Sequence, residues 1–205
     1  GVLVVPLRLH TQCLSTAFVR DGAVLRSRSV ESCGFMHLRG AFGDADPVVS
    51  MGEGLFMSGS RARDVPLDLL ARLLAETPRR LGDLIIPVNS FGLGGGLGVY
   101  LALEEPGVVD ICTSQPERWG FHTLSGLLEP DEPSLCLIRR DAVVVYGGDG
   151  AADRLRSRAV EWVEQGRPGL DRVRIEVWPA GEGPDRPGSR RLRRRWSDIT
   201  MGFDA

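Results

Sequence analysis

Three groups of residues in this 205-residue chain are of types that could do chemistry. The first is His10, Cys13, Cys33 and His37, spaced H-x2-C-x19-C-x3-H. Imidazole nitrogen and thiolate sulfur are the usual ligands of tetrahedral zinc. The spacing departs from the paired Cys-x-x-Cys arrangement, and a buried cysteine more often serves as a small hydrophobe. No metal is therefore expected. The second group is the basic run Arg190, Arg191, Arg193, Arg194 and Arg195, followed by Trp196. Cations beside an aromatic ring can hold phosphate, single-stranded nucleic acid or an acidic peptide, and charge also protects an edge strand from stray pairing. Arg191, Arg193 and Arg195 are the candidates for peptide binding. The third is Gly92-Leu93-Gly94-Gly95-Gly96-Leu97-Gly98. It fails as a dinucleotide loop, because the third required glycine falls on Leu97, and no Lys-Ser/Thr follows to make a phosphate loop. It reads as a flexible turn entering the apolar segment Val99 to Leu103. There is no HExxH motif and no Ser-His-Asp order, and His122 stands alone, so no catalytic residue is assigned.

Composition narrows the classes. A net charge of −2 gives no general drive toward nucleic acid. All 25 basic residues are arginine. Four cysteines, at 13, 33, 112 and 136, are too few and too scattered for a disulfide scaffold, which suits a reducing cytoplasm. No apolar run approaches the roughly 18 residues that span a bilayer. The apolar start lacks the basic flank and cleavage site of a signal peptide.

The elements that must position these groups begin with Val2 to Val5, an apolar run without polar alternation. That is the pattern of a strand buried on both faces, which needs a neighbour on each side. Residues 1–40 are accordingly read as the tail of a larger domain whose earlier part precedes Gly1. Cys13 to Arg20 and Ala23 to Glu31 flank Asp21-Gly22, a hairpin signal of the type I′ kind. That turn pairs Phe18 with Leu25 and Thr16 with Ser27. The segment closes with Gly34-Phe35-Met36-His37-Leu38-Arg39-Gly40.

Leu3-Val4-Val5-Pro6-Leu7, a hairpin, and Phe35-Met36-His37-Leu38-Arg39-Gly40 together resemble the end of the catalytic domain of protein-L-isoaspartate O-methyltransferases. The longer tail is similar in layout to the FxLD-system members of that family, which modify ribosomally made peptides and carry an extra C-terminal domain. The resemblance implies methyl transfer from S-adenosylmethionine to an aspartyl or isoaspartyl carboxylate, with a succinimide following. It implies that Phe35, Met36, His37 and Leu38 border the substrate, largely through backbone groups. His37 stands where the family usually has proline. The cofactor-binding loop of the family would lie before residue 1, so this chain alone is not expected to bind the cofactor. Its partners would be a peptide or protein substrate and the missing methyltransferase portion.

Beyond residue 40 the chain reads as an antiparallel α+β domain, 41–205, with helices on one face. Residues 41–53 look like a loop, and Gly54 to Ser58 like a short strand. Asp64 caps a helix carrying Leu69, Leu70, Leu73 and Leu74 that ends at Thr77-Pro78. Leu84 to Pro87 is a further short strand. Residues 104–133 look irregular because of their prolines. Leu135 to Ile138 and Val143 to Tyr146 are strands. Asp149 caps a helix with Ala152, Leu155, Ala159, Trp162 and Val163 on its apolar face, stopped by Gly166. Val173, Ile175 and Val177 mark a half-buried strand. A last strand is expected from about Leu192 to Phe203 with a bulge. The other reading of residues 41–205 is a self-standing binding module working through the arginine-rich strand.

Overall fold

The structure, a computed structural model, describes residues 1–9, 12–32, 48–58, 67–82, 88–89, 92–93, 95–105, 107–119, 123–139, 142–185, 189–193 and 197–203. In chain order the strands are β1 (Val2–Leu9), β2 (Gln12–Asp21), β3 (Val24–Ser32), β4 (Val48–Gly52), β5 (Leu55–Ser58), β6 (Arg79–Leu81), β7 (Val88–Asn89), β8 (Gly92–Leu93), β9 (Val108–Thr113), β10 (Thr123–Glu129), β11 (Ser134–Ile138), β12 (Val143–Gly147), β13 (Val173–Pro179), β14 (Ser189–Arg193) and β15 (Ser197–Phe203). The helices are α1 (Leu67–Ala75), α2 (Gly95–Glu104), α3 (Pro116–Trp119) and α4 (Gly150–Glu164).

Two antiparallel sheets carry the fold. One runs β1-β2-β3-β13-β15-β14, the other β4-β5-β9-β10-β11-β12-β6. The protein is thus α+β. The first strands do not stand apart from the last ones. Leu25 and Arg26 of β3 pair with Val177 and Glu176 of β13, and the Ile175 N–H donates to Ser27 Oγ at 2.9 Å.

Alternation along the seven-stranded sheet explains its helices. Val109, Ile111, Leu128 and Leu137 face α1, where they meet Leu70 and Leu73. Val108, Leu127, Cys136 and Val145 face the other way, onto Leu97 and Leu101 of α2 and Leu155 of α4. Helices therefore cover both faces of this sheet, not one. Both of its faces are apolar, and each must be covered. Helix α2 has a second duty. Its Val99 and Ala102 pack on Leu14, Phe18, Ile175 and Met201 of the six-stranded sheet. A helix lying between two sheets must be apolar all round, as Leu97 to Ala102 is.

The glycine-rich run is the start of that helix as well as a turn. Gly95 sits at φ +67°, and a Cβ on Gly96 would lie 1.8 Å from the Pro168 carbonyl oxygen. The helix thus packs directly on backbone, which only glycine permits.

Other expectations meet the structure as follows. The hairpin forms, but its turn is Gly22-Ala23, closed by Asp21 opposite Val24. Gly22 has φ +60° while Ala23 is not in the positive region, the pattern of a type II′ turn. With an irregularity at Ala17/Phe18, Phe18 pairs with Ser27 and Thr16 with Val30, not with Leu25 and Ser27. Residues 104–133 are not irregular, since β9 and β10 are central strands. Pro116 opens α3, and Pro130 and Pro133 stand in the turn after β10, so these prolines bound elements without interrupting them. Residues 48–52 are strand β4, the last part of the expected loop. The expected strand at 84–87 and the expected cap Asp64 lie outside the described residues.

Helix α4 forms as read, except that Val163 is 45% exposed. Asp149 occupies the N-cap but makes no side-chain cap bond; its carboxylate pairs with Arg79 at 2.8 Å. Gly166, at φ +80°, ends the helix in a Schellman motif, with Gly166 N–H donating to Val163 O and Arg167 N–H to Trp162 O, both at 2.9 Å. The bulged last strand is two strands, β14 and β15, paired from Ser189 opposite Gly202 to Arg193 opposite Asp198. The change of apolar phase reflects a reversal of the chain.

Candidate functional site

The densest charged cluster among the described residues lies where α4 crosses the end of α2 and β10. Arg154, Arg158 and Glu161 recur one turn apart on one side of α4, and the Glu104-Glu105 pair ends α2. Glu105 is 2% exposed. It accepts from Arg158 Nε at 2.5 Å, and its other oxygen lies 3.7 Å from Arg154. Arg154 also pairs with the buried Glu129 of β10, whose second oxygen accepts the Asp131 N–H at 3.1 Å. Arg158 Nη1 reaches Glu161 at 2.6 Å. Glu161 also accepts from Tyr100 Oη at 3.1 Å and Ser157 Oγ at 3.2 Å. Between these groups opens a cleft of about 340 Å³ lined by Glu104, Glu105, Arg154, Ser157, Arg158 and Glu161.

The electrostatics follow from these bonds. The hydrogen bonds to Glu105 and then Glu161 raise the pKa of Arg158. The Arg158 hydrogen bond holds Glu161 below the usual carboxylate range. Burial, then the bond to Glu161, pushes the Tyr100 phenol up. Each carboxylate oxygen of Glu105, Glu129 and Glu161 already has a partner. The charged groups of the cleft are largely paired with one another, and its one hydroxyl, Ser157 Oγ, donates to a Glu161 whose carboxylate is held below the usual range and so makes a weak base. What it does is lock α2, α4 and β10 together. Sequence reasoning missed it, although Arg154, Arg158 and Glu161 at helical spacing beside the Glu104-Glu105 doublet were a usable signal.

The arginine-rich strand is β14, at one end of the six-stranded sheet. In the register, Arg191 stands opposite Thr200 and Arg193 opposite Asp198. Thr200 in turn opposes Glu176, and Asp198 opposes Trp178. Each arginine position therefore shares a cross-strand row with an acidic one. Glu176 lies 3.7 Å from Arg26 and accepts from Trp178 Nε1 at 3.2 Å. Asp198, 1% exposed, accepts the N–H groups of Gly181 and Gly183 at 3.0 and 3.1 Å and so closes the loop after β13. Arg195 lies outside the described residues. So do Phe35, Met36, His37 and Leu38, along with His10, Cys33 and His122. The structure thus brings Arg191 and Arg193 into one strand and neither joins nor separates the other candidates. Among the described residues no three His, Cys, Asp or Glu side chains are grouped to hold a metal ion, and no helix is long and apolar enough to cross a membrane.

Two helices start in glycine-rich sequence among the described residues: the first turn of α2 is filled by the backbone of Pro168, and before and at the start of α4 a Cβ on Gly147 or Gly150 would meet the Pro133 carbonyl oxygen or the Glu132 carboxylate. No family model, no curated protein and no solved structure matches this chain.

Proposed function

We propose that this chain is the C-terminal portion of an S-adenosylmethionine-dependent carboxyl methyltransferase acting on aspartyl or isoaspartyl residues of a peptide or protein. Residues 1–40 would end its Rossmann-like catalytic sheet, and residues 41–205 would recognise the substrate peptide. The observation that supports this reading is the course of residues 2–32, an apolar strand running straight into a two-stranded hairpin. That is the layout on which the resemblance rests. Phe35, Met36, His37 and Leu38 would then leave the hairpin toward the rim of the substrate cleft. Cofactor binding belongs to the preceding portion, and no step through the cofactor is assigned to residues of this chain.

A second reading is a non-enzymatic binding module. Its support is the place of β14 at one end of its sheet, where Arg191 and Arg193 lie in a strand with a single described neighbour. Calorimetry separates the two. The 205-residue chain should give no heat with S-adenosylmethionine. The longer polypeptide that includes the preceding sequence should bind it and transfer its methyl group to an aspartyl peptide. Micromolar binding by the 205-residue chain would overturn the fragment reading, and a longer polypeptide without methyl transfer would remove the methyltransferase reading.

A further inference from the structure

Strand β14 ends the six-stranded sheet, with β15 as its one neighbour among the described residues. Which of its main-chain groups face the open side follows from the ladder. In antiparallel pairing the main-chain groups of successive residues point to alternate sides. The Ile175 N–H is directed at Ser27 of β3, so the main-chain groups of Glu176 and Trp178 point the other way, to β15. Their partners Thr200 and Asp198 point back to β13. Ile199 and Met201 therefore point to β14, where they oppose Leu192 and Arg190. The N–H and C=O groups of Arg191 and Arg193 are left pointing away from β15, to the open side.

These two positions also share one face. Ile175 and Met201 face α2. Arg191, opposite Thr200, and Arg193, opposite Asp198, belong to rows of the opposite face. In those rows Arg26, Arg191 and Arg193 stand against Glu176 and Asp198, so the formal charge at this edge is positive. Charge is not how this fold treats its sheet ends in general. Strand β4 carries no charged residue and β1 none before Arg8, while on β6 Arg79 is paired with Asp149 at 2.8 Å. Since β4 and the first half of β1 do without a charged guard, the three arginines among the five residues of β14 call for a partner.

We infer that β14 receives an extended acidic peptide, which adds to the sheet as a further strand through the main-chain groups of Arg191 and Arg193. Strand addition takes its affinity from main-chain hydrogen bonds and its specificity from alternate side chains. Residues two apart on a strand share a face, so the matching sequence has Asp or Glu at every second position. A second copy of β14 would set arginine against arginine, which is unfavourable across a strand pair. A nucleic acid offers negative charge but no peptide groups for the ladder. This pose rests on the binding-module reading and adds to it the chemistry of the ligand.

The test titrates the 205-residue chain with a fluorescein-labelled peptide of alternating Asp and Val, with the same peptide methylated at every backbone nitrogen, and with a single-stranded oligonucleotide. The Asp-Val peptide should bind at micromolar concentration. Backbone methylation, which keeps the charge and removes the donors, should weaken it at least about tenfold, as should the double variant Arg191→Glu, Arg193→Glu. Arg191→Gln with Arg193→Gln should weaken it in the same direction if charge reversal unfolds the strand. On saturation the Arg191 and Arg193 amides should exchange at least about tenfold more slowly. Equal binding of the methylated peptide, still lost in the variants, overturns strand addition and leaves β14 a binding surface. Binding untouched by the variants overturns both the inference and the binding-module reading. No binding at millimolar peptide overturns the inference, as does tighter binding of the oligonucleotide than of the peptide.

Discussion

Replacing Gly96 by alanine tests the central packing of the fold. The new Cβ would sit 1.8 Å from the Pro168 carbonyl oxygen and 2.8 Å from its carbon. The loop would have to retreat by more than about 1 Å in a close-packed interior. It cannot do so freely, because Trp162 Nε1 donates to the same oxygen at 3.1 Å and the Schellman turn anchors Arg167 next to it. Alanine gains about 1 kcal/mol of intrinsic helix preference over glycine. Overpacking costs about 1–3 kcal/mol, and loosening the Trp162 hydrogen bond about 1 kcal/mol more. The net loss is about 2 kcal/mol, or roughly 4–8 °C in Tm for a chain of this length. Denaturant unfolding followed by tryptophan fluorescence reads it. Gly82→Ala, where nothing lies within 4 Å of the added atom, is the control and should stay within about 0.5 kcal/mol. If Gly96→Ala is as stable as the control, α2 does not pack on the 166–169 loop and the two-sided helix is wrong.

Two further outcomes follow from titrating groups. Burial pushes the Cys136 thiol up to about 12, with Arg156 opposing weakly. The unfolded thiol ionises first as pH rises, so this site's contribution to stability is present below the ordinary thiol range and falls between there and about 12. Cys136→Ala should show a shallower alkaline decline in midpoint denaturant concentration; an unchanged slope would mean the thiol is not buried as described. On the acid side Glu161 has a depressed pKa through Arg158. Its contribution is present above the usual carboxylate range and lost as pH falls through the depressed value. Glu161→Gln should flatten that limb, and no flattening would sink the pairing. Finally, Glu105→Gln keeps the volume but removes the buried charge. Because Arg154 and Arg158 are 40% and 31% exposed and keep Glu129 and Glu161, the cost should be near the low end of about 1–3 kcal/mol in equilibrium unfolding. A neutral substitution would mean the cluster holds nothing together.

Local signals in the sequence located elements well and partners poorly. The strands at 135–138 and 143–146, the helix stopped by Gly166 and the leucine helix before Thr77-Pro78 each declared themselves through periodicity and a terminator. What failed was information that no short window holds. Pro116, Pro130 and Pro133 looked disruptive, yet they fall between strands, and only long-range pairing makes β9 and β10 central. The last strand looked bulged because a reversal and a bulge both change apolar phase. The charged cluster left only the helical spacing of Arg154, Arg158 and Glu161 as a signal, because Glu105, Glu129 and Arg154 meet only after α4 packs across β10. The type II′ turn was lost to a one-residue choice between Asp21-Gly22 and Gly22-Ala23, which the single positive φ at Gly22 decides.

The glycine run shows how one composition supports two meanings. A phosphate-binding loop and a helix seated on backbone both need residues without a side chain, the first to let a ligand approach and the second to let the chain itself approach. Here Pro168 stands where a ligand would, and α2 behind it is apolar on every side because each sheet claims a face. The same two-sidedness recurs at Val2–Val4, where no described element supplies the cover. In the interior the cover is a loop and two sheets. At β1 the first four residues form an apolar strand of the same kind, without the arginines that β14 and β6 carry at their sheet ends.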